Sequence, residues 1–312
     1  MVYKLKPFWF EVNFDHRISI KIRIDAKCSF TAMIKKSNIF NYLAKMIILI
    51  FVVSGCSTGR HSDKSEVNWK KVNVLVYTKN GKGYVHDNIP SAVACIQRLG
   101  KQNGFGVTVS DDLAVFNENN LKKYNTLIFT STNNEVFDND AQKVALMRYI
   151  QAGGGFVGIH SVTGTERNWQ WFKRLVGGTF VRHAKHQPFQ EIIIDTTNVS
   201  TSFLPRHWDV NDECYYAADI NPDIHVLTVH DLTTVTDDNK PTTYGTVFPS
   251  TWCHEFDGGR EWYTALGHDA ERYADPVFEK FILNGIKWVI GENKPLDYSK
   301  AHAESPDDPL PY

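Results

Sequence analysis

Three things are scarce in this chain of 312 residues. The first is an excess of charge of either sign: 34 Lys and Arg stand against 35 Asp and Glu, a formal net charge of −1. Phosphate-tracking proteins need a basic field, so nucleic acid is not an expected partner. The second is a long apolar run. Met46–Val53 is uninterrupted but spans only eight residues, whereas a bilayer crossing needs roughly 20. The third is cysteine. Of five in the chain, Cys95, Cys214 and Cys253 lie beyond residue 70, and no two share a C-x-x-C spacing. That removes the usual zinc and dithiol motifs, and an odd count allows at most one disulfide among them. Internal repeats and low-complexity segments are also missing, which excludes solenoids.

What is present begins with a leader. Lys35, Lys36 and Lys45 precede the apolar run, which ends in Val53-Ser54-Gly55-Cys56. A basic front, a short apolar middle and small residues before a cleavage point form a secretory signal. Val-Ser-Gly-Cys resembles a bacterial lipobox, which implies lipidation of Cys56 and a membrane partner reached through that anchor. The expectation is an exported lipoprotein, periplasmic or at the outer membrane or cell surface. Because such a signal opens a chain, Met33 reads as the start and residues 1–32 as a gene-model extension. Residues 33–55 are then the signal peptide, 56–70 a polar tether, 71–292 the folded body and 293–312 a proline-rich surface tail.

Within the body, Val72–Thr78, Gly106–Ser110, Asn125–Thr130 and Phe156–Ile159 read as short strands, the buried ones rich in apolar and β-branched residues. Between them lie a helix capped at Asp87 or Asn88 and running to about Asn103, and another from Asp138 through Ala152, stopped by Gly153–Gly155. Alternation at this spacing predicts an α/β fold with a mostly parallel sheet and helices on both faces. Strands at 189–194, 224–229, 250–256 and 261–266 and a helix at Pro276–Ile290 complete the chain. In such sheets ligands bind at the carboxyl ends of the strands. His86, Asn133–Glu135 and His160–Ser161 follow the first, third and fourth strands, so all three stretches belong to one edge.

Several polar groups are candidates. His160 and Ser161 end the strand of GGGFVGIHS as a nucleophile elbow would, with an imidazole in place of a nucleophile; an ordinary strand-end histidine would simply bond to backbone. His268 follows Gly267 at the end of another strand. Asp212 and Glu213 precede two tyrosines, and Glu213, nearer the aromatic run, is the better general acid or base. Catalytic candidates are therefore His160, Glu213 and His268. His86, Ser161, Trp169, His183, Asp212, His254 and Arg260 are candidate substrate contacts. His183 and His186 form an H-x-x-H pair, weak as a metal motif without a third ligand. No cofactor is demanded; a divalent metal, if present, would fall to His160, His183 and His268.

Taken together, Tyr84-Val85-His86, GGGFVGIHS (153–161), the W-x-W-F-x-x-L-V-G-G-x-F-x-x-H run (169–183), Asp212-Glu213-Cys214-Tyr215, and PSTWCHEFDGGR with YTALGH (249–260 and 263–268) resemble the trehalose-utilisation (ThuA-like) family. The resemblance covers about residues 71–292. It implies a flavodoxin-like fold similar to class I glutamine amidotransferases. Those enzymes place a cysteine at the elbow, where this chain has His160, and His268-Asp269-Ala270-Glu271 resembles their His-x-Glu with altered spacing. Without the cysteine, glutaminase chemistry is rejected. The family is linked to disaccharide use beside dehydrogenases that form 3-keto sugars, so a small-molecule carbohydrate is the implied partner. Acid/base chemistry on a glucoside or 3-keto-glucoside (isomerase, epimerase or lyase) is the leading expectation. A glycoside hydrolase is an alternative. It would need a second carboxylate, from Glu135, Glu166 or Asp257, ~5 or ~6.5–9.5 Å from the first. A non-catalytic sugar-binding lipoprotein is another. Nothing in the sequence specifies an oligomer.

Overall fold

A computed structural model describes residues 67–310 in full and the backbone of two strands upstream. Those strands, β1 (Phe8–Phe14) and β2 (Ile18–Ile24), pair antiparallel within the stretch read as an extension. The signal sequence, Cys56 and most of the tether lie outside the described residues.

The body is built on β3 (Asn73–Tyr77), β4 (Gly106–Ser110), β5 (Thr126–Thr130), β6 (Gly155–Ile159), β7 (Thr179–His183), β8 (Gln187–Ile193), β9 (His207–Asp212), β10 (Tyr215–Ala218), β11 (His225–Asp231), β12 (Val247–Phe256) and β13 (Gly259–Thr264). Among the described residues, nine of these strands form one sheet in the order β4-β3-β5-β6-β13-β12-β11-β8-β9. Its first half, β4 to β13, is parallel, and the remaining neighbours pair antiparallel. β7 and β10 make a separate antiparallel ribbon. The helices are α1 (Ile89–Asn103), α2 (Glu118–Leu121), α3 (Asp140–Gln151), α4 (Gln170–Val176) and α5 (Pro276–Ile290). This is the mixed α/β architecture expected, a large mostly parallel sheet with added antiparallel strands.

Strand side chains alternate between faces, and the core divides accordingly. Val74, Val76, Ile128, Val157, Ile159 and Trp262 pack on one side with Phe278, Phe281 and Ile282 of α5. Leu75, Tyr77, Leu127, Phe129, Phe156 and Tyr263 pack on the other with α3, Trp171 and Phe172. Both faces are thus apolar on the central strands, which is why these strands read as continuous apolar runs. Gly285 lets α5 ride directly on Trp262: a methyl there would stand 2.6 Å from the indole.

Local chemistry sets the element ends. Pro90 and Pro276 occupy first turns, where a missing N–H costs nothing, and Gly104 closes α1 with φ +88°. Asn139 rather than Asp138 caps α3, accepting from the Gln142 N–H at 3.2 Å. Asn88 stands at the N-cap of α1 but makes no cap bond. Its amide instead donates across the sheet edge to the carbonyls of Gly267 and His268, at 2.6 and 3.0 Å.

Candidate functional site

The carboxyl ends of β3, β5, β6 and β13 share one edge of the sheet, and four side chains meet there. His86 comes from the loop between β3 and α1. His160 follows β6, Glu213 links β9 to β10, and His268 lies just past β13. One ligand-type atom of each falls within 4.8 Å of every other.

His160 is held in an uncommon conformation. Its φ is +61°, and its side chain is fully buried. A left-handed non-glycine residue costs roughly 1–2 kcal/mol. Two contacts offset this: its carbonyl accepts from the Tyr263 hydroxyl at 2.7 Å, and its ring Nδ1 lies 2.9 Å from the Ala265 carbonyl oxygen. A carbonyl only accepts, so Nδ1 carries the hydrogen and Nε2 of the neutral ring is a bare lone pair. Burial and the neighbouring His86 press the imidazole well below its ordinary pKa, so neutral is its state. Nε2 faces the Tyr215 hydroxyl at 2.9 Å, His268 Nδ1 at 3.4 Å and Glu213 Oε2 at 3.7 Å.

The same logic fixes His86. The Ser161 hydroxyl donates to the Thr132 carbonyl at 3.0 Å and lies 3.2 Å from His86 Nδ1. With its one hydrogen spent on the carbonyl, Ser161 accepts from His86 Nδ1–H, leaving Nε2 bare. Burial, with the charge of His268, lowers the His86 pKa to about 4. His268 goes the other way. Its Nδ1 lies 3.2 Å from Glu213 Oε2, and that hydrogen bond raises its pKa against the effect of burial. Burial would raise the Glu213 carboxyl, but the His268 bond and the histidine charges outweigh it and hold it low. Both shifts favour the ionic form of the pair, beside two rings pressed toward the neutral form.

Asp212 is the clamp beneath. Oδ1 accepts from the N–H of Glu213 at 2.9 Å and of His268 at 3.1 Å, and Oδ2 from the N–H of Gly267 at 2.9 Å. Arg272 Nε stands 3.4 Å away. Burial pushes this carboxyl up, and Arg272 and the three N–H groups pull it part of the way back. Gly267 has φ +120°, and its carbonyl accepts from the Tyr273 hydroxyl at 2.9 Å.

Above the cluster opens a cavity of about 390 Å³ lined by Tyr84, His86, Asn133, Ser161, Phe180, His183, Glu213 and Tyr215. That size is in the range of small-molecule sites.

Of the sequence candidates, the fold brings His86, His160, Ser161, His183, Glu213 and His268 together. His183 sits at the rim, its Nδ1 3.4 Å from Glu213 Oε1 and 2.8 Å from the Ala184 carbonyl; in the four-residue cluster the expected place of His183 is taken by His86. His186 bonds to Asp269 at 2.8 Å instead. Asp212, expected at the substrate, is fully buried and holds backbone.

Trp169, His254 and Arg260 lie elsewhere. Trp169 stacks on Trp171 with centroids 5.2 Å apart and donates to the Pro306 carbonyl at 2.9 Å. His254 Nε2 donates to the Leu175 carbonyl at 2.8 Å, beside buried Glu261. Arg260 opens β13 opposite Gly155, whereas Thr264 at the other end is opposite Ile159. It therefore occupies the far edge of the sheet, its guanidinium 4.0 Å from the centre of the Trp288 ring.

The carboxylates that a hydrolase would recruit are engaged or remote. Glu166 Oε1 accepts from the N–H of Val136 and of Phe137, and Asp257 from Trp171 Nε1. Glu135 is exposed and does not line the cavity. Tyr215 and Phe180 were missed as site residues. The signal for Tyr215 was its place directly after Glu213-Cys214, and that for Phe180 its place in the run 169–183 that ends on His183. Cys95, Cys214 and Cys253 are buried free thiols, each pushed up by burial, and none stands at the elbow.

The family model described as ThuA, trehalose utilisation, matches residues 73–289. Among solved structures, the chain is similar to a ThuA-like protein from Bacteroides uniformis (22% identity, TM-score 0.63, covering 74% of this chain and 96% of that one). It is also similar to a ThuA-like protein from Parabacteroides merdae (18% identity, TM-score 0.57, covering 72% and 91%). At these identities the likeness shows the fold. No protein of curated function matches the sequence.

Proposed function

Because the chain belongs to the trehalose-utilisation (ThuA) family, whose name points to carbohydrate use, we propose that it acts on a glucoside already oxidised to the 3-keto form. The step is proton removal beside the ketone. The observation that carries this reading is the convergence of His86, His160, Glu213 and His268 within 4.8 Å beneath an aromatic-walled cavity.

His86 lines the cavity and its Nε2 is bare, as a proton acceptor requires. It takes the hydrogen from the carbon next to the carbonyl, and the electron pair moves onto the ketone oxygen. The His268–Glu213 pair, with a proton shared between them, stabilises that oxygen. Protonation by a water on the other face, with His86 releasing its proton to solvent, epimerises the carbon. Alternatively the glycosidic C–O bond breaks and the departing oxygen takes the proton back from His86, leaving an unsaturated ketone. Either course balances with no reactant beyond solvent water. Tyr84, Phe180 and Tyr215 give the cavity wall aromatic surface for a sugar ring. Hydrolysis by a carboxylate pair has less support, since Glu213 is the lone carboxylate lining the cavity among the described residues.

Proton NMR in D2O tests the proposal, with a 3-keto-glucoside and, separately, its unoxidised parent. Exchange or elimination beside the ketone with the parent untouched is expected. His86→Gln should slow it by at least about a hundredfold while the fold is unchanged. Cleavage of the parent, or a ketone left untouched, would refute it. Lipidation at Cys56 would tether the domain to a membrane surface. Metabolic labelling with an alkynyl fatty acid should mark the native protein, and a label that survives Cys56→Ala would refute this assignment.

A further inference from the structure

We propose that His160 Nε2, His268 Nδ1 and Glu213 Oε2 form one face of a divalent transition-metal site, with His86 beside it. This deepens the proposed function and rests on it only for what the ion does, not for whether it binds.

The distances make the case first. His268 Nδ1 to Glu213 Oε2 is 3.2 Å, His268 Nδ1 to His160 Nε2 is 3.4 Å, and His160 Nε2 to Glu213 Oε2 is 3.7 Å. Ligands about 2.1 Å from a common ion stand roughly 3.0–3.4 Å apart in octahedral or tetrahedral geometry. The triangle therefore needs only a few tenths of an ångström to close on an ion. Two imidazoles and one carboxylate on one face, with positions left open, suit iron, manganese, cobalt or zinc rather than calcium or magnesium.

The support around the triangle is built the way ligand shells are. His160 donates Nδ1–H to the Ala265 carbonyl at 2.9 Å, which fixes the tautomer and points Nε2 inward. Asp212 grips the N–H of both Glu213 and His268, and Asn88 grips the His268 carbonyl, so two ligands share one buried clamp. His160 is fully buried and cannot itself touch a sugar in the cavity. Coordination gives its inward lone pair a use. The Tyr215 hydroxyl, now 2.9 Å from that lone pair, would yield the position to the ion. A dication beside the single carboxylate leaves the site net positive where an enolate oxygen would form, taking over the electrophilic role of the His268 proton. His86 then keeps its lone pair for proton transfer.

The test uses the full chain, stripped with a chelator and titrated with Zn2+, Mn2+ or Co2+ alone. Calorimetry and metal analysis should find one ion per chain, and Co2+ should give the visible absorption of an imidazole–carboxylate complex. His268→Gln and Glu213→Gln should each weaken binding by at least about a hundredfold. His86→Gln should bind within about tenfold of the native chain while losing the exchange activity. Far-ultraviolet circular dichroism checks each variant, and His268→Gln is the decisive one because that side chain is part-exposed and least tied to folding. No saturable binding by the stripped native chain, or native-like binding by His268→Gln, overturns the proposal. Metal bound without exchange of the ketone refutes the proposed function and leaves the site standing. Undiminished exchange by metal-free protein refutes the role of the ion and leaves the proposed function standing.

Discussion

Replacing Asp212 by Asn changes one oxygen for an NH2 and almost nothing in volume, yet the structure makes it a severe substitution. The carboxylate accepts three backbone N–H groups at 2.9 to 3.1 Å and lies 3.4 Å from the largely buried Arg272. An amide has one acceptor oxygen. If that oxygen keeps the Glu213 and His268 donors, the NH2 faces the Gly267 N–H, and a buried donor is orphaned at about 1–3 kcal/mol. Arg272 also loses its one carboxylate within 4 Å among the described residues, and breaking a buried pair from one side costs about 3–5 kcal/mol. The two effects share neighbours and do not sum, so about 3–5 kcal/mol is expected in urea denaturation at neutral pH. The orphaned charge makes a second forecast. Arg272→Leu in the Asp212→Asn background should recover part of the loss, whereas alone it should destabilise. A loss below about 1 kcal/mol for Asp212→Asn with an unchanged denaturant slope, or strictly additive losses, would refute the clamp.

Gly267→Ala should cost about 2 kcal/mol by denaturation and weaken divalent-ion binding. Its φ is +120° and the new methyl would lie 2.7 Å from the Tyr273 hydroxyl, which displaces the loop carrying His268. Gly285→Ala sets helix propensity, a gain of about 1 kcal/mol, against overpacking of about 1–3 kcal/mol. Trp262 is pinned by Ser200 at 3.2 Å and by Phe281, so the clash should win and the melting temperature should fall. Asp195 provides a pH test away from the site. Burial would raise its carboxyl, but hydrogen bonds from His225, Thr197 and Asn198 hold it at about 2. A carboxylate depressed in the folded state stabilises above its unfolded value of 3.8 and loses that contribution as pH falls toward 2. Stability curves should therefore steepen between those values by on the order of 1 kcal/mol. Asp195→Asn should lack that component, and an unchanged curve would exclude it.

Much of the frame is written locally. β3, β5 and β6 carry apolar side chains on both faces, so composition alone marks them as central strands. Pro90, Gly104, Pro276 and the Gly153–Gly155 run mark helix ends through backbone geometry that needs no partner. His86, His160 and His268 could be placed on one edge because parallel strands point their carboxyl ends the same way. β7, β9 and β10 were not legible. β9 alternates exposed and buried residues but ends on Asp212, whose burial depends on Gly267, His268 and Arg272 from elsewhere in the chain. β7 and β10 are stable only as each other's partner.

By itself, then, the sequence determined the central parallel strands, the helices between them and the edge where chemistry would gather. These follow from periodicity and from the conformational limits of glycine and proline, both local properties. Which polar residues meet at that edge was decided only by the tertiary structure. His254 and Arg260 have the composition of site residues, but β12 runs antiparallel to β13 and the hairpin at Asp257 carries both to the opposite end. His86 and His268 are separated by most of the body, yet Asp212 and Asn88 hold the second within reach of the first. Convergence of that kind depends on strand direction and on buried hydrogen bonds between distant segments, and neither is encoded in any short stretch of the chain.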